Sequence, residues 1–312
     1  MTELAKLAMQ AVRIHDYGGT DALVLEEAPR PEPQAGQVLV RVKAAGVNPV
    51  DTVFRGGALK ERAPLQFPWT PGFEGAGVVE AVGADVPALQ PEQEVYGYLT
   101  GAYAQYAVGK AQDLQSKPSN LTMEEAAAVP MGAGVAWAAV VEAAGVEEGQ
   151  SVLIHGAAGG VGAFATQLAH WKQAYVIGTA SKENLRFVRS LGAQLAADYR
   201  ETPFEAVVGD VDVVIDTVGG DVLDRSWAVV RPGGILVTVA GRLSLEAGQA
   251  QGIRTVSVMR PPFADYKQIS EMLQAKTLAP TVRAVFPLAE ARAAEELSET
   301  RHGRGRIVLQ IP

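Results

Sequence analysis

One segment combines glycines with a strand and a helix at a spacing that favours binding of a phosphate group. The apolar run Val152–Ile154 predicts a strand, and a helical pattern follows the glycine-rich turn. Gly159 is expected to adopt backbone angles closed to other residues, and Gly162 to let the helix pack closely on the strand. N–H groups at the helix N-terminus would bind the phosphates. The turn therefore predicts a dinucleotide site made of Gly156, Ala157, Ala158, Gly159, Gly160, Val161 and Gly162, with Ala157 where the usual fingerprint begins with glycine.

The next predicted strand, Tyr175–Gly178, indicates which dinucleotide binds. Sites for NAD place Asp or Glu at the end of this strand, ~20 residues after the glycines, where the carboxylate binds the ribose 2′-hydroxyl. This chain has Ser181 and Lys182 there, and a hydroxyl with an ammonium group suits a 2′-phosphate. Glu183 is expected inside the following helix, past the ribose. The pattern favours NADPH; the alternative is that Lys182 is a solvated residue that opens the helix.

Two further turns follow predicted buried strands. Val218 and Gly219 come directly after one such strand, and Ala240 and Gly241 come after the next. Ligands of open parallel sheets lie at the carboxyl ends of the strands. These four residues are therefore expected to line the cofactor cleft.

The composition argues against several classes of protein. A net charge of −8 in 312 residues disfavours a general nucleic-acid or anionic-membrane partner. No apolar run reaches the ~20 residues of a membrane span, and Met1–Met9 lacks the pattern of a signal peptide, so a cytoplasmic protein is expected. The chain has no cysteine, which excludes disulfides, thiolate nucleophiles and cysteine-ligated zinc. Its four histidines form no metal-spaced pair, and no metal site is expected.

The order of the predicted elements indicates two domains. Short strands interrupted by Gly and Pro begin at Met9, as in a compact β-barrel. Thr122–Glu125 is a capping box that opens an alanine-rich helix, and strands then alternate with helices, which predicts a parallel sheet covered on both faces. Near Thr281 the strand-and-turn pattern returns. We expect an α/β fold with a β-barrel domain at 1–122 and 276–312 and a doubly wound nucleotide-binding domain at 123–275.

Several motifs spread over nearly the whole chain occur together. They are Ala44–Asp51, Pro71–Gly83, Gly101–Ala107, the glycine turn, Asp212–Gly220, Arg231–Gly234 and Gly305–Leu309. With them the chain resembles the medium-chain dehydrogenase/reductase superfamily, in its zinc-independent quinone oxidoreductase branch. The resemblance implies a GroES-like β-barrel catalytic domain and a Rossmann domain with a doubly wound parallel sheet that binds NADPH. It also implies a homodimer that pairs through the last strand of that sheet, near Thr255–Val258.

One motif departs from the zinc alcohol dehydrogenases that this superfamily contains. They have Gly-His-Glu where this chain has Gly72-Phe73-Glu74. Without that histidine and an earlier cysteine, no zinc ion can polarise a carbonyl as a Lewis acid. The resemblance then implies an NADPH-dependent, zinc-independent reductase of a quinone or a similar electron-poor acceptor. One alternative is a 2-alkenal or enoyl reductase that acts on an activated C=C bond. The other is a low-turnover NADPH-binding protein, since this chain lacks the Tyr and Thr hydroxyls that many relatives have near Val53 and at Val135.

The resemblance also suggests roles in catalysis for single residues. Asn48 would donate its amide N–H to a substrate carbonyl, unless it only forms the turn before Pro49. Asp51 would help to position the substrate or would brace the same loop. Glu74 is expected to make a structural hydrogen bond. His155, at the end of a strand and without a positioned partner, is expected to be a structural residue rather than a base.

Two more residues are expected at the adenosine end of the cofactor. In relatives a tyrosine at the position of Tyr199 packs against the adenosine phosphate, so Tyr199 would act with Lys182; the alternative is an ordinary surface tyrosine. Arg304, or else Arg301, would approach the same phosphate from the C-terminal part of the chain.

Overall fold

The structure, a computed structural model, describes residues 8–258 and 265–312. The chain forms two compact units. The first contains the described residues through Met131 together with Val282–His302 and Arg306–Pro312, and the second contains those of Gly132–Thr281 with Gly303–Gly305. The first seven residues, on which the expectation about a signal peptide rests in part, lie outside the described residues. In the part of the chain that is described, no helix is long and apolar enough to span a bilayer.

The strands of the first unit are β1 (Ala8–Arg13), β2 (Val24–Pro29), β3 (Gln37–Val47), β4 (Glu74–Val82), β5 (Glu94–Tyr98), β6 (Tyr106–Lys110), β7 (Leu114–Ser116), β14 (Val282–Pro287) and β15 (Arg306–Gln310). Seven of them form one sheet with the order β14-β15-β3-β4-β5-β7, in which β6 also pairs with β3. Strands β1 and β2 form a separate antiparallel pair. Alternate residues of β3, such as Val40 and Val42, are fully buried in an apolar core. Burial of each of these side chains stabilises the fold by roughly 1.5–3 kcal/mol.

The first unit also contains the α-helices α1 (Pro49–Arg55), α2 (Met123–Ala127) and α9 (Ala291–Glu299). Helix α1 begins where the sequence predicts a polar loop. Asn48 is its N-cap residue, Pro49 is its first helical residue, and the Asp51 carboxylate accepts a hydrogen bond from the Asn48 backbone N–H. Since proline at the first position and an acid in the first turn both favour a helix start, the loop motif also fixes the position of α1.

The second unit is a parallel sheet with helices between successive strands. Its strands are β8 (Ser151–His155), β9 (Tyr175–Ala180), β10 (Leu195–Asp198), β11 (Val211–Asp216), β12 (Val230–Thr238) and β13 (Arg254–Ser257). The described helices are α4 (Gly162–Trp171), α5 (Leu185–Ser190), α6 (Asp221–Ser226), α7 (Leu245–Gln251) and α8 (Tyr266–Gln274); α3 (Pro130–Trp137) and a π-helix (Ala138–Ala143) precede β8.

The strand order in this unit is β10-β9-β8-β11-β12-β13. This is the doubly wound Rossmann order, in which the winding reverses between the first and fourth strands and ligands bind at that reversal. The predicted α/β class with a doubly wound parallel sheet is confirmed. The helix expected to open at Lys182 begins as a 3₁₀ helix, Lys182–Asn184, and continues as α5. The edge strand is Arg254–Ser257, one residue earlier than the expected Thr255–Val258.

Candidate functional site

The glycine turn connects β8 to α4, as the sequence predicts, but its strained residue is a different glycine. Gly156 has φ +68°, which favours glycine, whereas Gly159 lies outside the left-handed region. The expectation that Gly159 supplies the unusual backbone angles is therefore wrong. The tight turn begins one residue before Ala157, and this is why alanine is tolerated where the fingerprint usually has its first glycine.

Gly162 has the packing role that the sequence assigns to it. A Cβ at Gly162 would overlap the carbonyl oxygen of Gly156 and lie 2.8 Å from its carbonyl carbon and 2.9 Å from Ala157 Cα. Strand β9 packs equally closely against the loop, because a Cβ at Gly178 would lie 2.8 Å from the Ala157 Cβ. The loop, β9 and the start of α4 are therefore packed too closely for larger residues.

The start of α4 has the chemical character of an anion site. Its N-cap residue is Val161, so no side chain caps the first turn. Gly159 N–H donates to Gly156 O at 2.8 Å, which holds the loop closed beneath the helix. Free amide groups at a helix N-terminus favour a negative charge. The geometry of the loop fits a pyrophosphate group, and the residues that would hold it are the predicted Gly156–Gly162.

Arg304 belongs to the second unit, near this loop. Gly305 N–H donates to Ala158 O at 2.8 Å, and the Arg304 guanidinium lies 5.3 Å from the centroid of the Phe187 ring on α5. Helix α5 follows Ser181 and Lys182 in the chain. Arg304 is therefore placed between the glycine loop and the helix that begins at the end of β9.

Asp216 organises the turns that contain the other predicted cleft residues, and the sequence reasoning missed it. Its buried carboxylate accepts hydrogen bonds from the backbone N–H groups of Val218 and Gly219, each at 3.0 Å, and from the Thr238 hydroxyl at 2.6 Å. Thr238 Oγ1 in turn accepts from Ala240 N–H at 3.1 Å. The available signal was an acid that closes the apolar strand Val211–Asp216.

Gly219 and Ala240 are neighbours at this edge of the sheet. Gly219 has φ +79°, and a Cβ there would lie 2.6 Å from Ala240 O. Gly241 follows directly, and a Cβ on it would lie 3.1 Å from Leu223. Val218 is 44% exposed, so its side chain is open to a ligand.

His155 closes β8 beside Asp216 and is buried and fully hydrogen-bonded. The Ser226 hydroxyl donates to Val222 O at 2.6 Å, so its oxygen accepts from His155 Nε2 at 3.1 Å. Nδ1 then accepts from the Thr179 hydroxyl at 3.1 Å. This assigns a neutral imidazole with its hydrogen on Nε2, held by β9 on one side and α6 on the other. Both ring nitrogens are occupied, which fits a structural residue.

Acid is expected to destabilise the protein through His155. Burial lowers the pKa of His155 from 6.5 to about 4, although Asp216 opposes the shift. Between pH 6.5 and 4 the imidazole is therefore protonated in the unfolded state but neutral in the folded state. The free energy of unfolding consequently falls as the pH drops from 6.5 toward 4, by up to ~3 kcal/mol. Urea unfolding of the wild type and of His155→Gln between these pH values tests this. The difference between the two proteins should shrink toward acid pH; a difference independent of pH would contradict the assignment.

Ser181 and Lys182 lie at the carboxyl end of β9, and each contacts a carboxylate. Ser181 Oγ donates to Glu183 Oε1 at 2.6 Å, and Lys182 Nζ lies 2.5 Å from Glu201 Oε1. As predicted, Glu183 lies in the helical segment that follows β9, in the 3₁₀ helix Lys182–Asn184 that leads directly into α5. Its carboxylate nevertheless turns back to accept from Ser181. Tyr199, which is 46% exposed, follows β10, and its N–H donates to Ala180 O at 3.3 Å.

The loop before α1 in the first unit is part of a buried polar network. Asn48 Nδ2 donates to Glu74 Oε1 at 2.7 Å, and Asn48 Oδ1 accepts from Arg306 Nη2 at 2.7 Å. Arg306 also pairs with Glu74, whose second oxygen accepts from Met131 N–H at 2.6 Å. The structural hydrogen bond expected of Glu74 is thus present. Asn48 is only 2% exposed, and both its amide nitrogen and its amide oxygen make hydrogen bonds within the protein.

Asp51, in the first turn of α1, stabilises the loop that precedes this helix. Its carboxylate accepts from the backbone N–H groups of Asn48 at 2.8 Å and Gly72 at 3.2 Å, and it faces the Tyr103 hydroxyl at 3.4 Å. Burial raises the pKa of the Asp51 carboxyl well above its usual range, and the negative charge of Glu295 adds to this effect. Asp51 thus connects the loop before α1 to the backbone at Gly72 and to Tyr103.

Comparison with known proteins decides the family. The alcohol dehydrogenase GroES-like domain family matches residues 34–119, and the zinc-binding dehydrogenase family matches residues 191–309. The quinone oxidoreductase of Lama guanicoe is 31% identical over 97% of this chain and 98% of its own. The NADPH-dependent alkenal/one oxidoreductase of Arabidopsis thaliana chloroplasts is 34% identical over 96% of this chain and 79% of its own. The structure of the Coxiella burnetii quinone oxidoreductase superposes with a TM-score of 0.90 at 31% identity, over 98% of this chain and all of the other.

The chain belongs to the medium-chain dehydrogenase/reductase superfamily. The predicted family and the GroES-like and Rossmann folds are therefore confirmed. The protein is an oxidoreductase of this superfamily, whose Rossmann domain binds a nicotinamide dinucleotide.

At the position where zinc alcohol dehydrogenases of the superfamily carry a histidine, this structure has an aromatic cluster. Phe73 lies 5.2 Å from Phe54 and 6.1 Å from Trp69, measured between ring centroids. The three rings are half-buried, so each has an accessible face or edge. Among the residues described, no group of three or more His, Cys, Asp or Glu side chains is arranged to hold a metal ion. The cluster presents an apolar, aromatic surface next to the buried Glu74.

Proposed function

We propose that this oxidoreductase uses NADPH to reduce a quinone or a similar electron-poor acceptor without zinc. The observation that carries the proposal is the aromatic cluster of Phe54, Trp69 and Phe73. Aromatic rings favour stacked or edge contacts with other planar rings, and a quinone is a planar, electron-poor ring. The similarity to quinone oxidoreductases over nearly the full chain supports the same acceptor.

The residues proposed to hold NADPH all lie at the carboxyl edge of the parallel sheet or beside it. The pyrophosphate would bind at Gly156–Gly162 and the start of α4, and the 2′-phosphate at the end of β9. The full set is Gly156, Ala157, Ala158, Gly159, Gly160, Val161, Gly162, Ser181, Lys182, Tyr199, Val218, Gly219, Ala240, Gly241 and Arg304. When bound, the nicotinamide supplies the hydride.

In the first unit we propose that Asn48 and Asp51 act by positioning the two segments that bear the aromatic cluster, which are α1 with Phe54 and the stretch before β4 with Trp69 and Phe73. Asn48 links Glu74 to Arg306, and Asp51 holds the start of α1 and the backbone at Gly72. An acceptor that is already electron-poor needs less polarisation than a simple carbonyl does. Catalysis then depends mainly on the orientation of the two reactants, which a rigid arrangement of these two segments supports.

A 2-alkenal reductase is the second candidate. The similarity to the NADPH-dependent alkenal/one oxidoreductase of A. thaliana favours it. Such an enzyme reduces an activated C=C bond and must deliver a proton to the α-carbon.

The third candidate is a low-turnover NADPH-binding protein.

We also propose a homodimer that pairs through β13. In the described sheet β13 is an edge strand bonded to β12 on one side. An edge with unpaired N–H and C=O groups favours addition of another strand. Light scattering on the purified protein tests this; a monomeric mass would contradict it.

The function is tested by following NADPH and NADH oxidation against a panel of quinones and α,β-unsaturated carbonyls, with and without a zinc chelator. We expect quinone-dependent oxidation of NADPH, much slower oxidation of NADH, and no effect of the chelator. Turnover of enones alone would select the alkenal reductase, and the deuterium position in its product would show the protonated carbon. Tight binding of NADPH without turnover on any acceptor would select the binding protein.

A further inference from the structure

Both side chains proposed to bind the 2′-phosphate already contact carboxylates of this chain. Lys182 Nζ lies 2.5 Å from Glu201 Oε1, and Ser181 Oγ lies 2.6 Å from Glu183 Oε1. Asn184 Nδ2 also donates to Ser181 Oγ, at 2.9 Å. A carboxylate and a phosphate make the same kind of charge-assisted hydrogen bond with an ammonium group. Glu201 therefore stands where an anionic ligand of Lys182 would stand.

We propose that Glu201 is a specificity-determining residue: it occupies Lys182 as an internal substitute for the 2′-phosphate and so limits the preference for NADPH over NADH. The inference rests on the proposed function, in which the 2′-phosphate binds at Ser181 and Lys182. To bind NADPH, Lys182 must exchange the Glu201 carboxylate for the phosphate. NADH has no group that makes this exchange, so its affinity does not depend on the ion pair.

The backbone keeps Glu201 near this site even when its side chain moves. Strands β9 and β10 are paired with Asp198 opposite Ala180. The turn after β10 is then closed by hydrogen bonds from the N–H groups of Glu201, at 3.3 Å, and Thr202, at 3.1 Å, to Asp198 O. The Glu201 backbone is thus fixed close to the end of β9, so its carboxylate can reach Lys182 and compete with the phosphate.

The energetics allow the exchange to occur. The Lys182 and Glu201 side chains are 72% and 59% exposed, and exposed ion pairs contribute little to stability. A phosphate group carries nearly two negative charges and three acceptor oxygens, so it displaces a single carboxylate. Two nearby cations lie over aromatic rings: Arg200 over Tyr199, and Arg304 over Phe187. Lys182 instead pairs with a carboxylate, so it is the cation whose availability to the phosphate depends on Glu201.

The test measures binding rather than turnover, by calorimetric titration of the purified protein with NADPH and with NADH. Glu201→Gln removes the charge but keeps the length of the side chain. We expect it to tighten NADPH binding about 3- to 5-fold, as expected for release of an exposed ion pair, and to leave NADH binding within about twofold. The gain should shrink at high ionic strength, because salt screens exposed charges.

Three further variants make the outcome specific. Glu148→Gln removes the same charge from an exposed turn that precedes β8, and it should change neither affinity. Lys182→Met should weaken NADPH binding about tenfold, as loss of a charge-assisted contact predicts. In the Lys182→Met background, Glu201→Gln should lose most of the gain in NADPH affinity that it gives in the wild type. A gain of the same size without Lys182 would show a general charge effect and would overturn the proposal.

The proposal and the function on which it rests fail in different ways. A wild-type protein that binds NADH more tightly than NADPH would overturn the proposed cofactor. In that case Glu183, beside Ser181, is the carboxylate to consider for the ribose 2′-hydroxyl. Preference for NADPH in the wild type with no change in Glu201→Gln would overturn the role of Glu201 alone. Circular dichroism spectra that match the wild type ensure that both results refer to folded protein.

Discussion

Replacing Arg306 with methionine is expected to lower the free energy of unfolding by about 3–5 kcal/mol, because it leaves a buried carboxylate without its counter-ion. Arg306 is 5% exposed and pairs with Glu74, which is fully buried. It also donates to Asn48 Oδ1. Methionine fills similar space but offers neither charge nor donor, so Glu74 would keep only the Asn48 amide and the Met131 N–H.

The double variant Glu74→Gln/Arg306→Met sharpens this prediction. Removing both charges leaves no unpaired buried ion, so the double variant should be more stable than Arg306→Met alone. The matched control is Arg41→Met, since Arg41 forms a half-exposed pair with Glu80 at 3.4 Å in the same unit. That change should cost less than about 1 kcal/mol. Urea unfolding followed by tryptophan fluorescence measures all three, and equal effects of the two arginine variants would contradict the argument.

Gly162→Ala is expected to weaken dinucleotide binding at least about tenfold, which corresponds to ~1.4 kcal/mol. Helix propensity alone predicts that Gly162→Ala stabilises the protein, because alanine favours a helix over glycine by about 1 kcal/mol. Here the new Cβ would overlap Gly156 O, and the nearest atoms are backbone, which cannot rotate away. Either α4 or the glycine loop must shift, and the proposed pyrophosphate site is made of both.

Gly209→Ala provides the control for this variant. Gly209 is exposed, is not in the left-handed region, and has no atom within 4 Å of the position of a Cβ. Alanine there should leave binding unchanged and should stabilise the fold slightly, through the entropy of the unfolded chain. Titration with NADPH, together with thermal unfolding, compares the two. Unchanged affinity in Gly162→Ala would show that the loop tolerates displacement.

The sequence predicted the features that depend on local periodicity. Apolar runs followed by turns located β8, β9, β11 and β12, and alternation of strand with helix predicted the parallel sheet. The glycine turn was placed correctly between β8 and α4. The glycine with positive φ is Gly156 rather than Gly159, three positions earlier, because the sequence of a glycine-rich loop does not indicate which of its glycines adopts that conformation.

Contacts between distant positions could not be predicted in the same way. Asn48 and Arg306 are 258 residues apart, and their hydrogen bond depends on the pairing of β15 with β3. Lys182 and Glu201 meet because β9 and β10 are neighbours. Asp216 was visible as an acid at the end of an apolar strand, but its partners at Val218 and Thr238 become clear only when the strand order is known.

The place of β15 between β14 and β3 has a consequence for the order in which the chain folds. The first unit cannot complete its sheet until the last strand has been synthesised, more than 200 residues after β3. Closing so long a loop is slow, because entropy must be lost before the contacts form. The second unit, nearly continuous in sequence, can form first and shorten the loop to be closed. During synthesis, Gln37–Arg41 of β3 can already pair with β6, whereas Ala44–Val47 lack their partner until β15 is made. This short unpaired stretch of edge is open to pairing with other chains in the meantime.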